Sequence, residues 1–256
     1  MDDLALALQL ADLADQITLR HFRSERLATW TKPDLTPVTE ADRAVEQALR
    51  KRLAEERPGD GVLGEEFGAH GGEGARWIID PIDGTKNYLR GVPVYATLIA
   101  LERDGEQTVG VCSAPAMGRR WWAARGGGAF ARGPQDGGVT PLRVSRVAEL
   151  GDAFMCYGSL GSWEEHGSGE RFLDLARRCW RTRGFGDFWI HLLVAEGAAD
   201  LAVEPEVSLW DLAAVKVIVE EAGGRFTDLA GVDRADGGSA VCSNGLLHDQ
   251  ALAALR

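Results

Sequence analysis

The feature that most constrains how this chain can fold is a short apolar run that ends in two aspartates. The run at 77–79 has the composition of a buried strand, and Asp80, Pro81 and Asp83 follow it closely. Strand ends are where layered α/β proteins place ligands, and two carboxylates this close repel each other unless a cation lies between them. Carboxylate oxygens select Mg²⁺, Mn²⁺ or Ca²⁺ over zinc. The segment predicts a metal site at a strand end, although a solvated Asp-Pro or Asp-Gly surface turn shares this pattern.

The next two residues, Gly84 and Thr85, indicate an anion site beside the aspartates. A glycine lets the backbone approach a ligand closely. If a helix begins here, the amides of Gly84 and Thr85 can bind a phosphate at its N-terminus. Metal ions and a phosphate would then share one small space.

Two more acidic segments are candidates for the same site. Glu65 and Glu66 follow a short apolar strand at 61–64, although an isolated pair of this kind is typical of a solvated surface. Asp211 precedes a strongly apolar helix at 212–222, where it can serve as the N-cap. Because that helix must be largely buried, its capping carboxylate faces an interior or a cleft and needs a metal or a hydrogen-bond donor.

Helices and strands alternate irregularly along the chain. We expect helices at 2–22, 39–56, 166–180, 188–198, 209–222 and 245–255, with Thr39 capping the second through Asp42. Strands are expected at 61–64, 77–79, 94–102, 108–113, 120–124, near 130, and at 152–157, 201–203, 225–229 and 240–242, and loops at 29–38, 68–74 and 133–140. This order predicts an α+β or layered architecture with two sheets sandwiched between helices.

Charge and composition limit the partners. The chain carries 39 acidic and 28 basic residues, a formal net charge of −11, and no basic run, so a nucleic-acid partner is not expected. An acidic chain that binds a phosphate ester needs divalent cations to neutralise it locally. The four cysteines lack metal-site spacing, no signal peptide is visible, and no apolar run reaches the length of a membrane span. These features predict a cytoplasmic protein with reduced thiols and no membrane association.

Together these segments resemble the inositol monophosphatase family. The resemblance rests on Gly64-Glu65-Glu66, the block from Trp77 to Thr85, and Trp210-Asp211 with Gly223-Gly224 closing the following helix, in the family's order. It implies a layered αβαβα sandwich of the inositol monophosphatase and fructose bisphosphatase type, a homodimer, and lithium-sensitive hydrolysis of a small phosphorylated metabolite. It also implies an N-terminal part, 1–140, with most metal ligands, and a C-terminal part, 141–256, with Asp211 and the substrate-selecting residues, in one compact unit.

The resemblance further implies roles for individual residues. Glu65, Asp80 and the carbonyl of Ile82 would hold one Mg²⁺, and Asp80, Asp83 and Asp211 a second, with a third ion or Mn²⁺ as options. Thr85 would position the attacking water with Asp42, and Glu65 would assist. The substrate-binding set would comprise Asp83, Gly84, Thr85, Asp187, Glu204 and Asp211.

Within the superfamily, the runs at 183–189 and 204–211 are similar to the histidinol-phosphate phosphatases. Histidinol phosphate carries an amine and an imidazole, to which Asp187 and Glu204 could offer negatively charged acceptors. The alternatives are a solvated Glu204 and an Asp187 that pairs with Arg183. An inositol-1-monophosphatase or a broad sugar-phosphate phosphatase stays open. A nucleotide bisphosphatase would need a basic pocket for a second phosphate, and a non-catalytic relative would ordinarily have lost a metal ligand.

Overall fold

The computed structural model describes residues 1–33, 35–72, 74–133 and 137–256. The helices are α1 Asp3–His21, α2 Glu40–Glu56, α3 Thr85–Leu89, α4 Leu160–Glu165, α5 Gly169–Arg178, α6 Asp187–Ala195, α7 Leu209–Glu221 and α8 His248–Leu255. The first ten strands are β1 Thr29–Thr31, β2 Pro37–Thr39, β3 Gly61–Gly64, β4 Gly68–His70, β5 Arg76–Asp83, β6 Ala96–Arg103, β7 Glu106–Ala114, β8 Arg119–Ala124, β9 Gly128–Arg132 and β10 Val139–Pro141. The remaining five are β11 Phe154–Tyr157, β12 Arg181–Arg183, β13 Leu201–Glu204, β14 Arg225–Thr227 and β15 Ala240–Ser243.

Two mixed sheets form the centre of the molecule. The larger has eight strands in the order β10-β9-β8-β7-β6-β5-β3-β4, in which only β3 and β5 run parallel among the described pairs. The smaller has five strands in the order β12-β11-β13-β15-β14. Strand β11 is parallel to both of its neighbours.

Helices cover both sheets and fill the space between them. Helices α1 and α2 pack on one face of the large sheet, while α7 and α6 lie between the two sheets. Helices α5 and α8 pack together on the far side of the small sheet. The order of layers is α-β-α-β-α, which confirms the predicted sandwich.

The central position of α7 follows from its composition. Every residue from Leu212 to Val219 is buried. A helix that is apolar on all sides can be stable in a globular protein only when it is enclosed on all sides. The first turn of α7 is therefore held at a fixed place between the sheets.

The predicted capping of α2 is confirmed. Thr39 is the N-cap, and its hydroxyl accepts hydrogen bonds from the backbone amides of Ala41 (3.1 Å) and Asp42 (3.4 Å). The carboxylate of Asp42 accepts one in return from the backbone amide of Thr39 at 2.8 Å. This reciprocal capping box fixes Asp42 in the first turn of α2.

Several element boundaries differ from the predictions. The segment expected as a loop at 29–38 contains the hairpin β1–β2, in which Pro37 occupies the edge of a two-stranded sheet where no donor is needed. The helix expected at 166–180 is shorter, running as α5 from Gly169 to Arg178, because Gly167 has a φ of 76° that is incompatible with a helix; the preceding helix α4 was not predicted. The predicted loops at 68–74 and 133–140 include β4 and part of β10, and residues 73 and 134–136 lie outside the described residues.

Among the described residues, none of the helices combines the length and the apolar character that crossing a bilayer requires.

A buried histidine in α8 leads to a prediction for acid stability. His248 is fully buried between the hydroxyls of Thr227 (Nε2, 3.0 Å) and Ser243 (Nδ1, 2.9 Å). The Thr227 hydroxyl donates to the carbonyl of Asp228, so it accepts from Nε2, and the Ser243 hydroxyl is free to donate to Nδ1. This arrangement satisfies a neutral imidazole, and burial lowers the pKa of His248 from 6.5 to about 4.

Because the folded pKa lies below the unfolded value, the unfolded chain takes up the proton first as the pH falls. The contribution of neutral His248 to the free energy of unfolding is complete above about pH 6.5 and declines toward pH 4. Between pH 7 and pH 5 the free energy of unfolding should fall by about 2 kcal/mol from this residue alone. Urea unfolding at both pH values should show a loss larger by about this amount in the wild type than in His248→Gln, which has no imidazole to titrate. Equal losses in the two proteins would contradict the prediction.

Candidate active site

The first two acidic residues are placed by strand β5, which extends further than predicted. It continues through Pro81 to Asp83, with an irregular register between Asp80 and Asp83 where it pairs with β6. Pro81 offers no backbone donor to the ladder, and its carbonyl accepts a hydrogen bond from the Thr97 hydroxyl at 2.7 Å. Asp80 and Asp83 are 1% and 8% exposed, so a solvated surface turn is excluded.

The third acidic residue comes from the first turn of α7. The N-cap of this helix is Ser208 and not Asp211, because the helix begins at Leu209, three residues before the start at 212 that an Asp211 cap would require. Asp211 occupies the third helical position and accepts a hydrogen bond from the backbone amide of Ser208 at 2.9 Å. The capping interaction orients the carboxylate at the end of a buried helix.

Asp80, Asp83 and Asp211 converge on one point. Each offers a carboxylate oxygen within 4.8 Å of the other two. Burial, followed by the charges of Glu65, Asp83 and Asp211, raises the pKa of Asp80 well above its usual range. Burial also raises the pKa of Asp83 well above its usual range, and that of Asp211 to about 7. An all-oxygen set that suffers this much mutual repulsion fits a hard divalent cation.

Glu65 lies at the edge of this cluster. It follows β3, and its Oε1 is 2.8 Å from the ammonium of Lys32, which also contacts Glu66 at 2.6 Å. Burial opposes the charge of Lys32, but the two carboxylates together raise its pKa above the usual value. The charge of Glu65 raises the pKa values of both Asp80 and Asp211, which shows that it acts on the cluster.

Glu46 fixes the turn that carries Glu65, and sequence reasoning missed it. This fully buried carboxylate accepts hydrogen bonds from the backbone amides of Glu66 (2.7 Å) and Phe67 (3.2 Å). A Cβ on Gly64 would lie 2.0 Å from the Glu46 carboxylate, so the close approach depends on glycine. Position 46 lies on the buried face of α2 with Val45 and Leu49, and a charged residue there was the available signal.

Thr85 and Asp42 meet beside the end of β5. The Thr85 hydroxyl is 2.9 Å from the carbonyl of Ile82 and 3.3 Å from Oδ1 of Asp42. Burial raises the pKa of Asp42. Gly84, with a φ of 81°, precedes the short helix α3 that begins at Thr85. The structure brings together the strand end, the capping box of α2 and a turn whose backbone conformation favours glycine.

A second acidic group lies next to the first. Asp187 opens α6 in the left-handed region, with a φ of 52°, and accepts a hydrogen bond from the side-chain amide of Asn87 at 2.8 Å. Burial, then the charge of Glu204, raises the pKa of Asp187 to about 6, while Lys86 opposes the shift. The alternative pairing with Arg183 is wrong, because that guanidinium donates to the carbonyl of Thr182 and the described residues form no Asp187–Arg183 ion pair.

Glu204 ends β13 and is mostly buried, so the alternative of a solvated loop acid is also wrong. Its Oε2 lies 2.8 Å from Nε2 of His191, a residue that sequence reasoning missed. The signal was its spacing, since His191 follows Asp187 by four residues and therefore shares its face of α6. The amide of Phe188 links the two acidic groups by donating to Asp83 at 2.6 Å.

The fold and the site define a class: layered αβαβα proteins with a buried cluster of carboxylates at a strand end that could hold a metal ion. The chain belongs to the inositol monophosphatase family, whose sequence pattern it matches over residues 2–256.

Relatives and solved structures agree with this assignment. The chain is 58% identical to a histidinol-phosphatase of Mycobacterium tuberculosis, over 99% of this chain and 98% of that protein. It is 54% identical to a histidinol-phosphatase of Streptomyces coelicolor, over 98% and 96% respectively. Among solved structures, an IMPase of Thermotoga maritima superposes with a TM-score of 0.88 at 30% identity, covering 100% of this chain and 97% of that chain.

Proposed function

We propose that this chain is a Mg²⁺-dependent phosphatase that hydrolyses L-histidinol phosphate to L-histidinol and phosphate, a step of histidine biosynthesis. The observation that carries the proposal is the convergence of Asp80, Asp83 and Asp211 beside a second acidic group at Asp187 and Glu204. The names of two relatives, at 58% and 54% identity, support the choice of substrate.

The metal ions would be held by the three clustered aspartates and two neighbouring ligands. Asp80, Asp83 and Asp211 would bind one Mg²⁺, and Glu65, Asp80 and the carbonyl of Ile82 another, with a third ion or Mn²⁺ also compatible with oxygen ligands. Lys32 would have to release Glu65 for this. When bound, the ions supply positive charge that activates a water and stabilises the leaving oxygen.

The chain's own groups would position the reacting atoms. The hydroxyl of Thr85 and the carboxylate of Asp42 meet at 3.3 Å, where together they can orient a water and accept its proton. The amides of Gly84 and Thr85 would bind the phosphate. Because the phosphoryl transition state is loose, positioning and charge neutralisation supply most of the acceleration, and no phosphoenzyme is needed.

The leaving group would be selected by Asp187 and Glu204, with Asp83 and Asp211 on the side of the scissile ester. Two carboxylates in a mostly buried subsite favour a leaving group that brings positive charge. Histidinol has an amine and an imidazole, whereas inositol offers only hydroxyls. Inositol-1-phosphate is the second candidate, because the chain is 36% identical over 225 residues to an inositol-1-monophosphatase of Mesorhizobium japonicum.

A substrate panel tests the proposal. Phosphate release from histidinol phosphate, myo-inositol-1-phosphate and β-glycerophosphate should be measured with Mg²⁺, with and without lithium. We expect kcat/KM for histidinol phosphate to exceed the others by at least about tenfold, the discrimination that one or two well-placed polar contacts provide. EDTA should abolish turnover. A clear preference for myo-inositol-1-phosphate would overturn the choice of substrate but not of reaction.

The assembly and location implied by the family are part of the same proposal. We expect a cytoplasmic homodimer, and light scattering coupled to size-exclusion chromatography would measure its mass. A monomer at assay concentration would overturn the dimer alone.

A further inference from the structure

We propose that His191 is a positioning residue that fixes the carboxylate of Glu204 for the cationic part of the leaving group. The inference rests on the proposed function, because it assigns a role within the same subsite. His191 would touch neither the phosphate nor a metal. Its effect on the reaction would pass through Glu204.

The first support is the hydrogen bond of His191. The side chain is 1% exposed, and its Nε2 lies 2.8 Å from Oε2 of Glu204. A carboxylate only accepts, so Nε2 carries the proton of this bond. The other ring nitrogen, Nδ1, is buried and has no hydrogen-bond partner among the described residues. A second proton there would be an unsatisfied buried donor. The imidazole therefore donates one hydrogen bond, and its acceptor is Glu204.

The second support is the space around the other oxygen of Glu204. A Cβ placed on Gly158 would lie 2.7 Å from Oε1 of Glu204, so the chain after β11 passes close against this carboxylate. With Oε2 bonded to His191 and Oε1 bordered by Gly158, rotation of the carboxylate is restricted from both sides. Its orientation is therefore set by the protein before any ligand binds.

The third support is the placement of Asp187 and His191 on one helix. They are one turn apart on α6, so the helix that presents the Asp187 carboxylate also holds Glu204. The charge of Glu204 raises the pKa values of both Asp187 and Asp83, which places it within electrostatic reach of the metal cluster and of Asp187. The ligand that fits is an organic cation with N–H donors, such as an ammonium or an imidazolium, attached a few bonds from the ester oxygen.

The resulting expectation is a change in substrate binding. In His191→Leu, Glu204 loses its hydrogen-bond donor and its fixed orientation. We therefore expect KM for histidinol phosphate to rise about tenfold while kcat stays within about threefold of the wild-type value. This pattern is expected when the lost interaction stabilises the bound substrate and the transition state equally. His191→Gln has an amide that can donate to Glu204, and it should recover most of the loss. Calorimetric binding of the product L-histidinol should weaken in parallel, and β-glycerophosphate, which lacks a cation, provides the reference substrate.

A double-mutant cycle separates positioning from a general structural effect. If His191 acts through Glu204, His191→Leu should change KM by less than about twofold in a Glu204→Gln background. His248→Gln, a substitution of another buried histidine, is the matched control. It should lower the melting temperature without changing the ratio of the KM values for histidinol phosphate and β-glycerophosphate. A loss from His191→Leu that persists in full in the Glu204→Gln background would overturn the proposal, as would failure of His191→Gln to recover binding in a protein that melts like the wild type.

This test is distinguishable from failure of the proposed function. If the wild type prefers a different phosphoester, the choice of histidinol phosphate fails. The same cycle, measured with the preferred substrate, still decides whether His191 acts through Glu204: coupling supports the positioning role and additivity contradicts it.

Discussion

Replacing Asp80 with asparagine is expected to lower kcat/KM by about 10³-fold, or about 4 kcal/mol of transition-state stabilisation. Asp80 is the member of the cluster proposed to contact both metal ions. An amide has nearly the shape of the carboxylate but none of its charge, so both ions would lose affinity together. Initial rates over a Mg²⁺ titration should show the loss at every concentration, and calorimetry should show weaker Mg²⁺ binding.

The same substitution should make the metal-free protein more stable. Asp80 is buried beside Asp83, Asp211 and Glu65, and their charges oppose its ionisation. Asparagine removes a carboxyl group that must be either charged among like charges or protonated at a cost, so the free energy of unfolding in EDTA should rise by about 1–3 kcal/mol. Saturating Mg²⁺ should reverse the order, because the wild type then gains binding energy that the variant lacks.

Asp200→Asn is the matched control for Asp80→Asn. Asp200 is also a buried carboxylate, but its oxygens accept hydrogen bonds from the Ser145 hydroxyl and from the amide of Phe154, the latter at 2.6 Å. Loss of these charge-assisted bonds should destabilise the protein with or without metal. If Asp80→Asn in EDTA behaved like Asp200→Asn, the carboxylates at the end of β5 would be satisfied without a cation, and the proposed metal site would be wrong.

The parts of this molecule that were predictable from sequence are those fixed by local chemistry. A few neighbouring residues were enough to predict three features: the strand before Asp80, the capping box at Thr39 and the buried helix after Asp211. The predicted layers followed from the resemblance to the family and from the mixture of elements. A prediction was wrong where one residue is compatible with two structures. Pro37 indicated a loop, but an edge strand also tolerates proline, and Pro37 lies in such a strand.

The contacts that could not be predicted depend on tertiary packing. Lys32 reaches Glu65 from a hairpin where the sequence predicts a loop, and Glu46 reaches the same turn from the middle of α2. The bond between His191 and Glu204 joins a helix to a strand of the small sheet. In each case the sequence shows a polar residue among apolar neighbours, which says that a partner exists but not which one.

Replacing Asp187 with asparagine is expected to lower kcat/KM for histidinol phosphate by about 10²-fold, which corresponds to about 3 kcal/mol. The reason is the loss of a charged acceptor in a mostly buried subsite, where hydrogen bonds to ionised groups are strongest. β-Glycerophosphate, which brings no cation, should lose less than about threefold. Phosphate-release kinetics with both substrates at saturating Mg²⁺ give the ratio of the two kcat/KM values directly.

Asparagine is the informative replacement because it leaves the local structure unchanged. Asp187 has a φ of 52°, a conformation in which asparagine and aspartate are tolerated better than most other residues. The side-chain amide of Asn87, which donates to Asp187 at 2.8 Å, can donate equally to the new side-chain carbonyl. The fold around α6 should therefore persist, and the melting temperature should not fall.

The control for this comparison is Asp174→Asn, which removes one negative charge from the exposed face of α5. Any effect of the long-range field of a protein of net charge −11 on the substrate would change slightly and equally in both variants, because each loses one negative charge. A contact at Asp187 would appear only in Asp187→Asn and would remain at high salt, because a buried pair is screened far less than a surface field. Two outcomes would contradict the prediction: equal losses of kcat/KM in the two variants, or an Asp187→Asn loss as large on β-glycerophosphate as on histidinol phosphate. Either would mean that the Asp187 carboxylate supports the structure of the site but does not select the leaving group.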